Sequence, residues 1–295
     1  MRIKDYIRYI SQPFRLHPPS PGVYIFTYHQ AANAFDMNDH FRGTFTDTNS
    51  LIHHFKTIKR YFKLISLRDY EKVINGKLTD PYAIITIDDG DASCEYTFLP
   101  VLKSLNIPAT FFVNSAYLDG QDVSWPYALR AISTENMSGL NELQNKGITL
   151  EKMRLTDSVE YYQQGKIEIS NIMKKQNKKN VYVGLNFLMS LDPQQFCVGL
   201  HGHEHDRYSL LSKCEQMTDL DLNIKILSKI PSFINAFAIP FGKSIDWNNV
   251  TKSICIEKKC VILTSEGGYN SHHSSVLSRI PADNRSINTI IAKLL

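Results

Sequence analysis

The chain has 295 residues, 43% of them hydrophobic and 21% charged, with a formal net charge of +4. That composition excludes a disordered or fibrous chain and suits one large α/β domain or two modest ones. So small a charge excess, with no basic stripe interleaved with aromatics, gives no reason to expect a nucleic-acid partner.

Residues 1–21 mix charged and apolar positions and end in prolines. They lack the apolar core of a secretory leader and read as a disordered or surface-packed arm, with a weak peripheral membrane anchor as the alternative, though membrane contact is not indicated. Val23–His29 is a compact strand. Leu51, Phe55, Ile58 and Phe62 fall near helical spacing, residues 63–67 read as a strand, and a short helix follows to Asn75-Gly76. The run Ala83-Ile84-Ile85-Thr86-Ile87 is apolar and β-branched, the pattern of a buried strand, and it ends in Asp88-Asp89-Gly90. A helix over Cys94–Leu105 must kink or break at Pro100. Asn106-Ile107-Pro108 then turns the chain into the strand Ala109–Val113. Strand, helix, strand at this pace is the rhythm of a parallel sheet.

The rhythm lapses from Asn114 to Leu191, which is polar and mostly helical apart from a weak Val181-Tyr182-Val183. This stretch reads as an inserted subdomain without a core of its own, a candidate lid. Strands resume at Phe196–Leu200, Asn235–Ile239, Cys260–Thr264 and Ser275–Leu277, with helices near Lys213–Ile230 and Trp247–Ile256. The Lys174–Lys179 run reads as a solvated helix end or loop. The five cysteines are odd in number, scattered, and include no Cys-x-x-Cys. They suit a reducing compartment and argue against a cysteine zinc site. No apolar stretch approaches the roughly 20 residues of a membrane span, so the expected location is the cytoplasm.

Chemistry concentrates where strands end. In parallel α/β folds the carboxyl ends of strands are where ligands bind. Two adjacent carboxylates there are costly to hold together unless a proton or cation separates them. In a regular strand Asp88 and Asp89 would point to opposite faces, and Gly90 permits the tight turn that brings both to the mouth of the sheet. His201 and His205, in His201-Gly202-His203-Glu204-His205, follow a buried strand at a spacing that a helix or a tight turn brings together. Neutral imidazoles with one carboxylate would leave coordination positions open, as in a catalytic metal site. His203 and Glu204 are expected to face solvent or to support the ligands. Ile239-Pro240-Phe241-Gly242 can be read as a strand terminator, or as a turn that aims a backbone N–H at a developing oxyanion.

These residues together resemble the polysaccharide deacetylase family, the proteins that share the NodB-homology domain (carbohydrate esterase family 4). The family's Thr-Phe-Asp-Asp-Gly is similar to Thr86–Gly90, with Ile87 in place of phenylalanine. Its His-(Ser/Thr)-x-x-His is similar to His201–His205, with Gly202 at the hydroxyl position. Asn106–Val113, Tyr28-His29 and Ile239–Gly242 match further motifs in the right order, from about Val23 to Asp283. The resemblance implies a distorted, TIM-like (β/α)7 barrel over residues 22–295, with the insertion at about 114–191. It implies a divalent metal, usually zinc, held by Asp89, His201 and His205. Asp88 would be the general base for a metal-bound water, and the Phe241 N–H an oxyanion donor.

The chain departs from the family's pattern in two places. No arginine precedes Pro240, and Arg279 is the candidate to replace its charge. No counterpart of the late Leu-x-His motif stands out, and His272 and His273 lie in a Ser-rich loop. The expected protein is therefore a metal-dependent hydrolase that removes N-acetyl or N-acyl groups from a sugar or polysaccharide intermediate. The alternatives are a non-catalytic carbohydrate-binding relative and an amidohydrolase for a small non-sugar amide.

Overall fold

A computed structural model describes residues 19–32, 44–120, 122–174, 181–283 and 285–294. Most of the expected N-terminal arm, and the Lys174–Lys179 run beyond its first residue, lie outside the described residues. In chain order the strands are β1 (Gly22–Tyr28), β2 (Gln30–Ala32), β3 (Phe45–Asp47), β4 (Lys63–Leu64), β5 (Pro81–Ile87), β6 (Ala109–Val113), β7 (Phe196–Leu200), β8 (Phe233–Ala238), β9 (Val261–Thr264) and β10 (Val276–Pro281). The helices are α1 (Thr48–Tyr61), α2 (Tyr70–Ile74), α3 (Leu99–Leu105), α4 (Trp125–Glu135), α5 (Met137–Asn145), α6 (Leu150–Leu155), α7 (Val159–Met173), α8 (Leu185–Met189), α9 (Lys213–Leu227), α10 (Asn249–Glu257) and α11 (Ile287–Leu294).

The strands β1, β10, β9, β8, β7, β6 and β5 pair in that order, all parallel, and β5 pairs back onto β1 to close the ring. This is the seven-stranded α/β barrel expected from the sequence. The short β4 pairs with the first half of β5, on the same edge that β6 uses further along. Among the described residues no helix is long and apolar enough to cross a membrane.

Alternation along each strand sorts the residues. Val23, Ile25, Ile84, Phe112, Ala236, Ala238, Leu263 and Leu277 share one cluster that fills the barrel. Tyr24, Phe26, Tyr28, Ile85, Ile87, Phe111, Val198 and Phe237 point the other way and pack under the helices. The interior closes tightly. A Cβ on Gly199 would lie 2.4 Å from the Phe112 ring, so only glycine lets that ring fill the barrel. The inward set continues upward along β5 through Thr86 to Asp88, and along β10 through Leu277 to Arg279. The sequence expectation stopped the last strand at Leu277. Its continuation to Pro281 is what carries Arg279 to the barrel's carboxyl end.

Pro100 does break the helix expected over Cys94–Leu105. Cys94–Phe98 forms a wide π turn, and Pro100 falls in the first turn of α3, where its missing N–H costs least. The insertion buries an apolar cluster of its own, contrary to the expectation. Trp125, Leu129, Ile132, Leu143, Met153, Tyr162 and Ile169 form it together with Leu210, and Phe241 packs against it. Tyr182 bridges Asp91, and the Val183 N–H donates to the Gly90 carbonyl, tying the end of the insertion to the acidic strand end.

Candidate active site

Asp89, His201 and His205 converge. One donor atom from each lies within 4.8 Å of the other two. Asp89 Oδ1 is 3.1 Å from His201 Nε2 and 3.2 Å from His205 Nε2. The break after β5 uses two left-handed residues in succession, Asp89 with φ 71° and Gly90 with φ 70°. His205 (φ 57°) and Phe241 (φ 64°) are also left-handed, so three of the six such non-glycine residues described are candidate site residues. Backbone strain of this kind persists where surrounding contacts enforce it.

Those contacts are visible around the histidine loop. Asp219 on α9 accepts from the His203 and Glu204 N–H groups and from the Tyr208 hydroxyl. Asn223, one turn further on, accepts from the His201 N–H and donates to the Val113 carbonyl. Asn114 donates to the His201 and Gly202 carbonyls. Gly202 has φ 75°, in the left-handed region that glycine adopts without strain. His203 bonds Ser115 and Glu204 reaches Lys166, so both face away from the three ligand candidates.

The hydrogen bonds of His201 decide whether this triad fits a metal. His201 Nδ1 is 2.7 Å from the Ala238 carbonyl, which can only accept, so that nitrogen carries the proton and Nε2 presents a lone pair. A lone pair facing a carboxylate oxygen at 3.1 Å is repulsive unless a cation or an added proton lies between them. One carboxylate and two imidazoles suit a divalent first-row ion with open positions. The residues fit. Burial works to raise the Asp89 pKa, but the facing imidazoles of His201 and His205 outweigh it and hold the carboxyl well below its ordinary value. Burial lowers His205, keeping it neutral and able to ligate. Its Nδ1 is buried without a partner.

Asp88 and Arg279 form a bidentate pair inside the barrel mouth. Nη1 and Nη2 each lie 2.7 Å from a carboxylate oxygen, and the side chains are 2% and 0% exposed. The rest of the guanidinium is held by the Thr264 carbonyl, Ser265 Oγ and Thr86 Oγ1. Burial pushes Asp88 up, but Arg279 more than offsets this, and the carboxyl ends below its ordinary value.

Phe241 lies beyond the end of β8. Its ring meets the His205 ring edge-on at 4.6 Å, and the Arg154 guanidinium stacks 3.8 Å from its centroid. Its N–H meets no acceptor among the described residues. His272 and His273 are exposed, away from these groups.

The sequence reading assigned no role to His29, which the structure brings to this cavity. His29 Nδ1 is 2.5 Å from Asp283 Oδ2, and its N–H donates to Oδ1 at 3.0 Å. Burial alone would lower the imidazole, but Asp283 overrides it and raises the pKa to about 9. Burial also raises Asp283, so the pair shares one proton. We place it on the imidazole, because Asp283 also accepts from the His29 N–H and from Thr46, and both donors favour the carboxylate. The signal was available: His29 stands just past β1 as Asp88 stands just past β5. A cavity of about 280 Å³ is lined by His29, Asp88, Asp89, His205, Phe241 and Asp283 among others.

Residues 75–183 match the family model for polysaccharide deacetylase. The likeness to the polysaccharide deacetylases holds. These are hydrolases of carbon–nitrogen bonds other than peptide bonds, and the enzyme class expected from the sequence stands with them. The family match includes Asp88 and Asp89 and ends before the histidine loop. No curated protein matches the chain. Among solved structures, a de-N-acetylase from Aggregatibacter actinomycetemcomitans superposes with a TM-score of 0.64 at 17% identity, over 92% of this chain and 99% of that one. IcaB from Ammonifex degensii gives 0.58 at 14% identity, over 94% and 99%. The deacetylase PplD of Streptococcus pyogenes, solved with acetate, gives 0.57 at 15%, also over 94% and 99%. At these identities the likeness shows the shared fold.

Proposed function

We propose that the protein removes N-acetyl groups from an N-acetylated sugar or glycan, with Asp88 as general base and His29 as general acid. One observation carries the reading. A buried carboxylate fixed by Arg279 and an imidazole held protonated by Asp283 line one cavity, beside a carboxylate–diimidazole triad. Groups whose surroundings push their proton affinities apart divide acid and base roles between them.

Asp89, His201 and His205 would hold a divalent ion, and their one-oxygen, two-nitrogen donor set supports zinc. Bound there, such an ion supplies Lewis acidity toward the acetyl carbonyl and lowers the pKa of water. Asp88 accepts a proton from the attacking water as its oxygen bonds to the carbonyl carbon. Arg279 keeps that carboxylate ionised and aimed. The Phe241 N–H is positioned to donate to the oxygen as it gains negative charge. His29, with Nδ1 tied to Asp283, turns Nε2 to the cavity and protonates the departing nitrogen, so acetate and a free amine result. A complete acid–base pair supports turnover over binding alone.

The test is acetate release from N-acetylated oligosaccharides by wild type and Asp88→Asn, each loaded with zinc. Wild type should release acetate, and the variant should lose activity by about 10²–10⁴-fold, the usual worth of a positioned base. An unchanged rate in Asp88→Asn would exclude Asp88 as the base.

A further inference from the structure

We propose that Tyr162 and Lys166, on helix α7 of the insertion, are positioning residues that hold His205 in its left-handed, ligand-presenting backbone conformation. The inference rests on the deacetylase reading, in which His205 is a metal ligand. It gives the insertion a part in the metal centre besides its part in the cavity wall.

The two imidazoles are anchored differently. His201 is tied to the barrel through its Nδ1, 2.7 Å from the Ala238 carbonyl, and through its N–H to Asn223. His205 Nδ1 is buried without a partner, which leaves ring packing and the backbone to orient it. That backbone has φ 57°, a conformation that a residue with a Cβ keeps only under constraint. Asp219 on α9 holds the loop as far as the Glu204 N–H. Beyond that point α7 takes over. Lys166 Nζ reaches both oxygens of the buried Asp206, at 2.7 and 2.8 Å, and Glu204 Oε2 at 3.3 Å, so one ammonium spans the residues on either side of His205. The Tyr162 hydroxyl donates to Asp206 Oδ1 at 3.0 Å and accepts from the Arg207 N–H at 3.1 Å and from Trp125 Nε1 at 2.9 Å. It thus uses its donor and both acceptor sites, and two of the three bonds go to the residues just after His205. The Arg207 guanidinium is itself fixed by the Thr156 and Ile245 carbonyls.

Stability is weak ground for such a pair, because apolar residues of similar volume often serve as well as a largely buried ion pair. What the pair does supply is a fixed position, and the position it fixes is that of His205. Trp125, which donates to the Tyr162 hydroxyl, also sets its ring 5.7 Å from Phe241, whose ring meets the His205 imidazole edge-on. Its neighbours Ser124, Pro126 and Tyr127 line the reaction cavity. One packed unit therefore carries part of the cavity wall and the hold on a metal ligand.

The experiment measures zinc affinity by competition with a chromophoric chelator in wild type, Tyr162→Phe, Lys166→Met and Lys166→Arg, with thermal unfolding of the metal-free proteins as a check on folding. Tyr162→Phe and Lys166→Met should bind zinc about 10–100-fold more weakly, the usual effect of removing a group that orients a ligand. Lys166→Arg, which keeps a cationic donor, should recover most of that loss. The visible spectrum of the cobalt(II)-substituted protein should change in the two weakened variants, a signature that a merely structural role would not move. Lys166 is partly exposed, so Lys166→Met keeps the test open should Tyr162→Phe fail to fold. Equal zinc affinity and an unchanged cobalt spectrum in folded variants overturn the inference and leave the deacetylase reading intact. If wild type binds no zinc, the metal reading fails, and amide hydrogen exchange over residues 204–207 of the metal-free protein decides the inference. Exchange about tenfold or more faster in Lys166→Met supports the hold on His205, and unchanged exchange overturns it.

Discussion

Replacing Arg279 by lysine isolates the hold on the base. Lysine keeps the positive charge but offers a point donor where arginine offers a planar fork. The wild-type fork makes two 2.7 Å bonds to Asp88 and three further contacts to Thr264, Ser265 and Thr86. An ammonium can satisfy one carboxylate oxygen and one or two of the rest. At about 1.5–3 kcal/mol for a charge-assisted hydrogen bond, losing one to Asp88 should destabilise the protein by roughly 2 kcal/mol. Deleting the charge altogether would cost about 3–5 kcal/mol, since a buried carboxylate would be left alone. Catalytically, a base displaced by about 1 Å should lower kcat by roughly 10²-fold. The sign of the pH effect follows from the same contacts. Arg279 holds the Asp88 pKa down against burial, so a weaker hold lets the pKa rise. The acid limb of kcat/KM then moves to higher pH. Zinc-loaded acetate release across pH, with thermal unfolding as a control for folding, measures both effects. A folded Arg279→Lys protein with wild-type kcat and an unmoved acid limb would refute the claim that this arginine orients the base.

Other contacts carry further outcomes. His29 is raised to about 9, so the acid form is complete at neutral pH and lost as pH climbs through that value; kcat/KM should fall on an alkaline limb near there. His29→Gln should remove the limb and lower kcat by about 10²–10⁴-fold, and a retained limb would assign the acid to another group. Asp283→Asn, which leaves the imidazole without its counter-charge, should shift that limb toward lower pH. Gly199→Ala places a methyl 2.4 Å from the Phe112 ring and should cost about 1–3 kcal/mol of stability in chemical denaturation, while a neutral result would mean the barrel interior has slack.

Much of the fold was legible because short apolar runs ending in turn residues mark parallel strands, and such a run was read at each of the seven barrel strands. Asp88, Asp89, His201 and His205 were legible because each sits just past such a strand. Other features depended on contacts that local pattern does not encode. The pairing of β2 with β3 was missed, since two three-residue strands leave little periodicity to read, and the final helix α11 was missed although Ile287, Ile290 and Ile291 fall at helical spacing. The His29–Asp283 pair spans 254 positions and exists only once the barrel closes β10 onto β1. Arg279 could be suspected as a replacement charge, but its inward direction came from the extension of β10 by four residues past the expected end. The insertion's own cluster was obscured by polar residues between its apolar positions, which helix packing sorts to one side.

Everything in this account turns on Asp89, His201 and His205 gripping one divalent ion. The most direct measurement is a zinc titration of the metal-stripped protein beside Asp89→Asn and His201→Gln, followed by calorimetry and by acetate release. One ion should bind per wild-type chain, with affinity weakened by orders of magnitude in both variants and activity restored in proportion to occupancy. Zinc bound equally well by wild type and both variants, or acetate released at full rate by the stripped protein, would contradict it.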